Sequence, residues 1–373
     1  MILRTLSLLN FRNHKKNTFN FSDKINFIIG DNASGKTNLL ESIFLLSTGK
    51  SLKANREEEM IMIGEELSKI KGTVSFRAYS NNLSNNDLDD VENLEVILTR
   101  GFLELGTSVP RKTPKKRLLI DGTTKRLIDF TGRLKVVLFG PWDMNLVTDP
   151  PGARRSFLDL VISQTDREYR RCVIAYEKAL RQRNKLLFRI REEGISRNQL
   201  IFWNQLLIRN GEYITRKRAE FIEFVNSANQ LTDCIYQLYY DKSVISESRL
   251  EQYKKEEVAS ATTLVGPHRD DFRFLILNSK ISDDAFDLAF YGSRGEQRMG
   301  VLWLKLAELA FIEKVAKERP VLLLDDILSE LDHGHRDIVM STMRNQQTIM
   351  TTADYHYVED FKGIEIVNMI NLN

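Results

Sequence analysis

The chain is 373 residues long, with 42% hydrophobic and 28% charged side chains, which excludes a disordered or fibrous protein and leaves room for two lobes with separate cores. No apolar run of about eighteen residues occurs, and the opening MILRTLSLLNFRNHKK lacks an apolar core followed by a small-residue cleavage site; neither membrane spanning nor secretion is expected, and the expected address is cytoplasmic. The formal net charge of +3 is too small to argue for nucleic acid by itself, and Cys172 and Cys234, far apart and outside any CxxC or His cluster, argue against a zinc site or disulfide framework.

In chain order, residues 2–9 and 19–21 read as strands around a turn, and the apolar run 25–29 is a short buried strand stopping at Gly30. A helix is predicted from Lys36 to about Ser47. Residues 67–140 read as antiparallel strands broken by polar loops, among them the Asn- and Asp-rich stretch 81–90 and the Asp121-Gly122 turn. From residue 150 to about 238 the signal is helical. Tyr169, Val173, Tyr176, Leu180, Leu187 and Ile190 keep a four-three spacing with Arg183 as the one polar exception, and Leu200, Trp203, Leu207, Ile214 and Val225 share one face of a second helix. An antiparallel helical pair follows from those two stripes. Beyond Gly266 the chain returns to strands and helices, with a long helix predicted over 298–318 and a very apolar strand over 321–324.

Gly30-Asp31-Asn32-Ala33-Ser34-Gly35-Lys36-Thr37 matches GxxxxGK[ST] between a buried strand and a helix, the context a phosphate-binding loop requires. Glycines at both ends let the loop curl with its amides inward, Lys36 reaches the β and γ phosphates, and the Thr37 hydroxyl ligates Mg²⁺. Asn38 completes the expected nucleotide-binding stretch. The acidic partner is supplied by the strand Val321-Leu322-Leu323-Leu324-Asp325-Asp326: Asp325 is the metal-side carboxylate, while Asp326 either orients or deprotonates the attacking water or caps the following turn. In the loop Tyr291-Gly292-Ser293-Arg294-Gly295-Glu296, Ser293 and the amides near Gly295 either bind an anion or form an ordinary helix N-cap. Followed by Ser329-Glu330-Leu331-Asp332, these segments reproduce the order of ABC-type ATPases: Walker A, signature, Walker B, D-loop. The fold class expected is therefore α/β, an ABC-type P-loop ATPase head with an antiparallel β region and an inserted, mainly α-helical lobe. Boundaries are expected at 1–148 and 262–373 for the two parts of the ATPase lobe and 149–261 for the helical lobe.

Over essentially its whole length the chain resembles the RecF family of bacterial recombination mediators, relatives of SMC and Rad50 heads. Asn10-Phe11-Arg12-Asn13-His14, Arg154-Arg155-Ser156-Phe157-Leu158-Asp159, Gln182-Arg183-Asn184 and Gly266-Pro267-His268-Arg269-Asp270-Asp271 carry that resemblance. It implies an ATP sandwich, with Lys36 and Thr37 of one subunit holding MgATP while Ser293 and Gly295 of a second copy cap the γ phosphate and Asp332 lies beside it, so that ATP drives dimerisation. By analogy Arg12 touches the nucleotide or is a surface arginine at a strand end. The resemblance further implies binding to gapped DNA or single-strand/duplex junctions without sequence reading, cooperation with RecR and RecO in placing RecA, and roles in repair, recombination, replication and the SOS response. Asp326 stands where most ABC ATPases carry Glu, which implies slow turnover. Thr351-Thr352 stand where transporters have a switch His, and Lys53 stands where RecF proteins usually have Arg.

Between residues 154 and 191 nine Arg and two Lys face four carboxylates, a concentrated positive charge suited to phosphate contacts or to a solvated helix face. Arg154, Arg155, Arg181 and Arg183 are the candidate DNA contacts there, with Lys112, Lys115 and Lys116 of a second basic run at an expected hairpin tip. His333 and His335 read as a polar turn in preference to a metal pair. A transporter ATPase subunit would need the switch His and a shorter spacing from Lys36 to Ser293. A small-molecule kinase would need neither signature nor D-loop, and an SMC or Rad50 head would need a long coiled coil.

Overall fold

The computed structural model describes residues 1–54, 56–76, 90–103, 111–231, 234–277, 285–330, 333–354 and 367–372. It divides into two compact units, Met1–Pro141 with Ile312–Asn373, and Trp142–Phe311.

In the first unit two large sheets form among the described residues, beside the two-stranded pair of Phe102–Leu103 with Arg111–Lys112. One is a five-stranded parallel sheet in the order Val136–Phe139, Val321–Asp325, Thr348–Thr352, Ile25–Gly30, Val367–Leu372. The apolar runs read from the sequence are its central strands, buried on both faces as a parallel sheet demands, with Phe27, Ile28 and Leu323 fully enclosed. The other is a six-stranded antiparallel sheet in the order His14–Asn20, Ile2–Phe11, Leu67–Phe76, Asp90–Thr99, Lys116–Ile120, Thr123–Lys125. Its last hairpin turns through Asp121 and Gly122 at φ 47° and 75°, the left-handed pair of a tight two-residue turn. Residues 81–89 of the polar stretch lie outside the described residues.

The helix Lys36–Thr48 touches both sheets, which is why every residue from Leu39 to Thr48 is buried. Its approach to the antiparallel sheet is close enough that a Cβ on Gly72 would stand 2.8 Å from Leu46. The Gly35 hinge starts this helix and Gly49, at φ 66°, ends it.

The second unit is built on two long helices, Arg167–Glu193 and Ile201–Asn226, packed along each other, with Pro151–Thr165 beside them. The stripe of apolar residues faces inward as the spacing requires: Tyr169, Tyr176, Leu187 and Ile190 are buried. Arg183 is buried with them, at 2% exposure. Helix is not maintained to 238. After Asn226 the alternation of exposed Ile235, Gln237 and Tyr239 with buried Tyr236 and Leu238 imposes a strand, Ile235–Asp241. That strand pairs antiparallel with Asp271–Leu277, which pairs with Ala285–Asp287. Strand pairing thereby joins 271–287 to the helical hairpin, so the compact division falls between 311 and 312, inside the helix Arg294–Ala316, and not near 261. Among the described residues no helix is long and apolar enough to cross a membrane.

The Gly266–Asp271 segment ties this unit together through buried charge. Arg218, 3% exposed, donates to Asp159 at 2.8 Å, Asp270 at 3.1 Å and the Pro267 carbonyl at 2.7 Å. Tyr176 donates its hydroxyl to His268 Nδ1 at 2.8 Å while Nε2 donates to the Thr263 carbonyl at 3.0 Å, an assignment fixed because a carbonyl only accepts. Burial lowers the His268 pKa to about 4, so the ring is neutral in the folded chain. An unfolded chain takes up this proton near pH 6.5 and the folded one only near 4, so stability is intact above 6.5 and falls as pH drops between those values. The total loss is about 3 kcal/mol, at about 1.4 kcal/mol per pH unit. Urea unfolding between pH 7 and 4.5 is expected to show this slope in the wild type and a shallower one in His268→Gln.

Candidate functional site

The glycine loop ends the central strand Ile25–Gly30 and opens the helix Lys36–Thr48. Ala33 and Gly35 take φ of 69° and 107°, the left-handed turns that fold the loop over the helix N-terminus. The Lys36 ammonium lies along the loop, donating to the Gly30 carbonyl at 2.6 Å and the Asp31 carbonyl at 2.9 Å. Ser34 Oγ is buried in the loop without a hydrogen-bond partner, an orphan polar atom of the kind a bound phosphate would satisfy.

Thr37 and Asp325, 288 positions apart, meet at 2.7 Å, with the Thr37 hydroxyl donating to Asp325 Oδ2. The other oxygen, Oδ1, accepts from Thr351 Oγ1 at 2.7 Å. Sheet register produces this: Asp325 pairs with Thr351, and Thr351 pairs in turn with Ile28 of the strand leading into the loop. Thr351 therefore stands between the acidic strand and the glycine-loop strand. Its hydroxyl also accepts from the Asp326 amide at 3.1 Å, and Asp326 holds φ 53°, a left-handed kink directly after the buried Asp325. Thr351 stands in the sequence as the place of a missing switch His; its tether to Asp325 becomes visible only through the register.

Three residues of the opening motif surround the same loop. Asn13 Nδ2 donates to the Ser34 carbonyl at 3.1 Å, His14 Nε2 to the Gly35 carbonyl at 3.1 Å, and Asn38 Nδ2 to Asn13 Oδ1 at 2.9 Å. Arg12, itself at φ 53°, forks onto Glu41 with Nε at 2.9 Å and a terminal nitrogen at 2.8 Å, and donates to the Glu59 carbonyl. Glu41 is 1% exposed. A lone carboxylate within the buried run Leu39–Thr48 is the signal that such a partner exists.

In the second unit, Ser293 and Gly295 are exposed at the start of the helix Arg294–Ala316. Both the amide and hydroxyl of Ser293 donate to Glu296 Oε2 at 2.8 Å, and the Glu296 amide returns a bond to Ser293 Oγ at 3.3 Å. This is a reciprocal capping box, with Ser293 as the N-cap of a helix start that is exposed to solvent. Asp332 lies outside the described residues, and Ser329 and Glu330 fall in the turn Ile327–Glu330.

Two of the arginines expected on DNA are committed elsewhere, which corrects that expectation. Arg183 donates to Asn204 at 2.7 Å, Thr263 at 2.8 Å and the buried Glu257 at 2.6 Å. Arg154, 8% exposed, forks onto Asp271 at 2.7 and 3.0 Å and donates to the Asp149 carbonyl. A guanidinium enclosed by its partners cannot reach a phosphate. Arg155 is half-buried, with its pKa lowered by desolvation and by Arg218, and donates to the Asp270 carbonyl. Lys116 is held by Glu57 and the Gly49 carbonyl, and Lys115 by Glu58, whereas Lys112 is exposed. Arg181 is 68% exposed, with Glu177 no nearer than 3.9 Å. Exposed Lys178 and Lys185 flank it at helical spacing, so Lys178, Arg181 and Lys185 share one solvent face of the helix Arg167–Glu193.

A parallel sheet that brings a glycine loop and an acidic strand end to one point, separated by a third strand, with a signature-like capped helix between the two in the chain, defines the class of ABC-type P-loop ATPase heads. Residues 2–371 match the family described as RecF/RecN/SMC N terminal domain. The chain is 34% identical over 363 residues to the DNA replication and repair protein RecF of Lachnoclostridium phytofermentans, covering 94% of this chain and 92% of that one. It is 34% identical over 398 residues to RecF of Bacillus cereus strain G9842, covering 99% and 97%. A solved structure of the recombination mediator protein RecF with ATP, from the RecFOR pathway, superposes with TM-score 0.81 at 29% identity over 94% of this chain and 92% of that one. An SMC head domain from Pyrococcus furiosus shares the fold at TM-score 0.51 and 16% identity, over 96% and 91% of the two chains. The chain belongs to the RecF family.

Proposed function

We propose that the chain is a cytoplasmic, ATP-dependent DNA-binding protein of recombinational repair and replication: a slow ATPase whose nucleotide site closes between two copies. The observation that carries the reading is the convergence of Thr37, Asp325 and Thr351 beneath the glycine loop. A hydroxyl and one buried carboxylate suit Mg²⁺, which takes few protein ligands and fills its other positions with phosphate oxygens and water. Gly30, Asp31, Asn32, Ala33, Ser34, Gly35 and Lys36 would hold the phosphates and Thr37 with Asp325 the metal. When bound, MgATP supplies the γ phosphoryl group and its charge neutralisation. Asp326 follows the metal-side carboxylate at the point where a water would be oriented. Its side chain is one methylene shorter than the Glu of most ABC ATPases, which supports slow turnover.

The ATP-bound relative in the RecFOR pathway supports ATP as the nucleotide and RecR and RecO as functional partners, and the family resemblance adds RecA. Ser293 and Gly295 are exposed, as closing on a second copy's γ phosphate demands, and Asp332, later in the chain beyond the acidic strand, would add a contact to the same nucleotide. Arg12 is assigned to holding Glu41 behind the loop. For DNA, gapped or at a junction, the reading moves from the buried arginines to the face of Lys178, Arg181 and Lys185, with Lys112 as a further exposed cation.

Fluorescence anisotropy on a labelled gapped duplex tests both parts. Tight binding is expected only with ATP, and is expected to be lost in Lys36→Met and in Ser293→Arg. Alanine at Lys178, Arg181 or Lys185 should each lower the log K against log salt slope by roughly one. Binding indifferent to nucleotide and to both site changes would overturn the ATP-gated dimer.

A further inference from the structure

We infer that Asn13 and His14 form a clasp that orients the two glycine-loop peptides whose amides, those of Gly35 and Lys36, face a nucleotide phosphate. The inference rests on the nucleotide reading above. In a trans peptide the carbonyl and the next N–H point in opposite directions, so whatever holds the carbonyl also aims the amide. Asn13 Nδ2 holds the Ser34 carbonyl at 3.1 Å and thereby aims the Gly35 amide. His14 Nε2 holds the Gly35 carbonyl at 3.1 Å and thereby aims the Lys36 amide; that carbonyl also accepts the first helical bond, from the Leu39 amide at 2.9 Å.

A clasp is needed here because the Ser34–Gly35 peptide is intrinsically loose. Glycine has no Cβ to bar rotation, and a flip of this peptide would turn an electronegative carbonyl toward the phosphate. Gly35 sits at φ 107°, and the clasp closes so tightly on it that a Cβ would meet both Asn13 side-chain polar atoms at 2.6 Å and His14 Nε2 at 2.9 Å. Both members are themselves held. Asn38 donates to Asn13 Oδ1 at 2.9 Å, which orients the Asn13 amide with its nitrogen toward Ser34. His14 is 4% exposed and packs edge-on to Phe19 at 6.0 Å, and burial lowers its pKa so that the ring is a neutral donor through Nε2.

These are positioning residues, since neither touches the phosphate. Their loss lowers the fraction of loop in the binding-competent form, and the apparent Kd rises by the factor by which that fraction falls. ADP and ATP must then suffer equally, because both present the β phosphate, while the turnover of bound ATP is untouched.

The test measures Kd for ADP and ATP with a fluorescent analogue, together with kcat, in the full chain. Asn13→Ala and His14→Phe are each expected to weaken both nucleotides about tenfold, with kcat at saturation within about twofold of wild type. Asn13→Asp, isosteric but lacking the donor, should behave like Asn13→Ala. His14→Gln, which keeps an N–H, should restore most of the affinity. Unchanged affinity in folded Asn13→Ala and His14→Phe overturns the clasp, and so does a defect that spares ADP or that His14→Gln fails to relieve. Wild type that binds no nucleotide overturns the reading of the site itself, and the clasp with it.

Discussion

Replacing Arg183 with alanine is expected to lower the unfolding free energy by about 3–5 kcal/mol, the range for breaking a buried ion pair by removing one partner. The guanidinium is 2% exposed and its partner Glu257 is 1% exposed, so neither is screened by solvent. Its three nitrogens are each used, on Asn204, Thr263 and Glu257, and truncation strands all three acceptors. Glu257 keeps one compensating contact, from the Leu264 amide at 2.9 Å. That single bond cannot replace a charge, so most of the cost comes from the carboxylate left buried. The double change Arg183→Met with Glu257→Leu removes both charges and should recover much of the loss. Urea denaturation of the three proteins measures this directly. A loss under about 1 kcal/mol in Arg183→Ala would mean that the pair is wet and that the arginine is available to DNA after all.

The Arg183–Glu257 pair separates what the chain announces from what only packing decides. Its place on the apolar stripe with Tyr176 and Leu187 was visible as a polar interruption, and an interruption on a buried face requires a buried partner. Glu257 lies 74 positions away, beyond any local period, so the partner was not readable. The same limit explains the DNA candidates. Counting arginines from 154 to 191 registers charge but not direction, and Arg154 points into Asp271 while Arg181 points into water. The strands leading to the glycine loop and to Asp325 behaved differently because their signal is local: an apolar run ending in glycine or aspartate fixes both the element and the end at which the proposed site lies. Glycine loop, acidic strand and signature helix were therefore legible to within a few residues, the helix beginning at Arg294 where the pattern alone suggested 298. The strand Ile235–Asp241 was missed because its alternating pattern is only seven residues long and follows a helical one without a proline.

Thr351 was equally out of reach, since its importance comes from strand order and not from any motif, and its replacement by valine gives the second large effect. Valine keeps the shape and the β-branched fit to the central strand, so the sheet should survive the change. What is lost is the proton given to Asp325 Oδ1 and the oxygen that accepts from the Asp326 amide. Asp325 would keep only the Thr37 hydroxyl to orient it, and that hydroxyl must also serve as a metal ligand in the proposed MgATP complex. Outer partners of metal-binding carboxylates are worth about 10–100-fold in metal affinity or activity. Thr351→Val is therefore expected to raise the Mg²⁺ concentration needed for half-maximal ATP hydrolysis, lower the rate, or both, by a combined factor in that range. Thr351→Ser keeps the hydroxyl and should retain most of the wild-type behaviour. Titration of hydrolysis against Mg²⁺ in the three proteins checks it. Wild-type magnesium dependence in Thr351→Val would show that the 2.7 Å bond does not set the position of Asp325 during turnover.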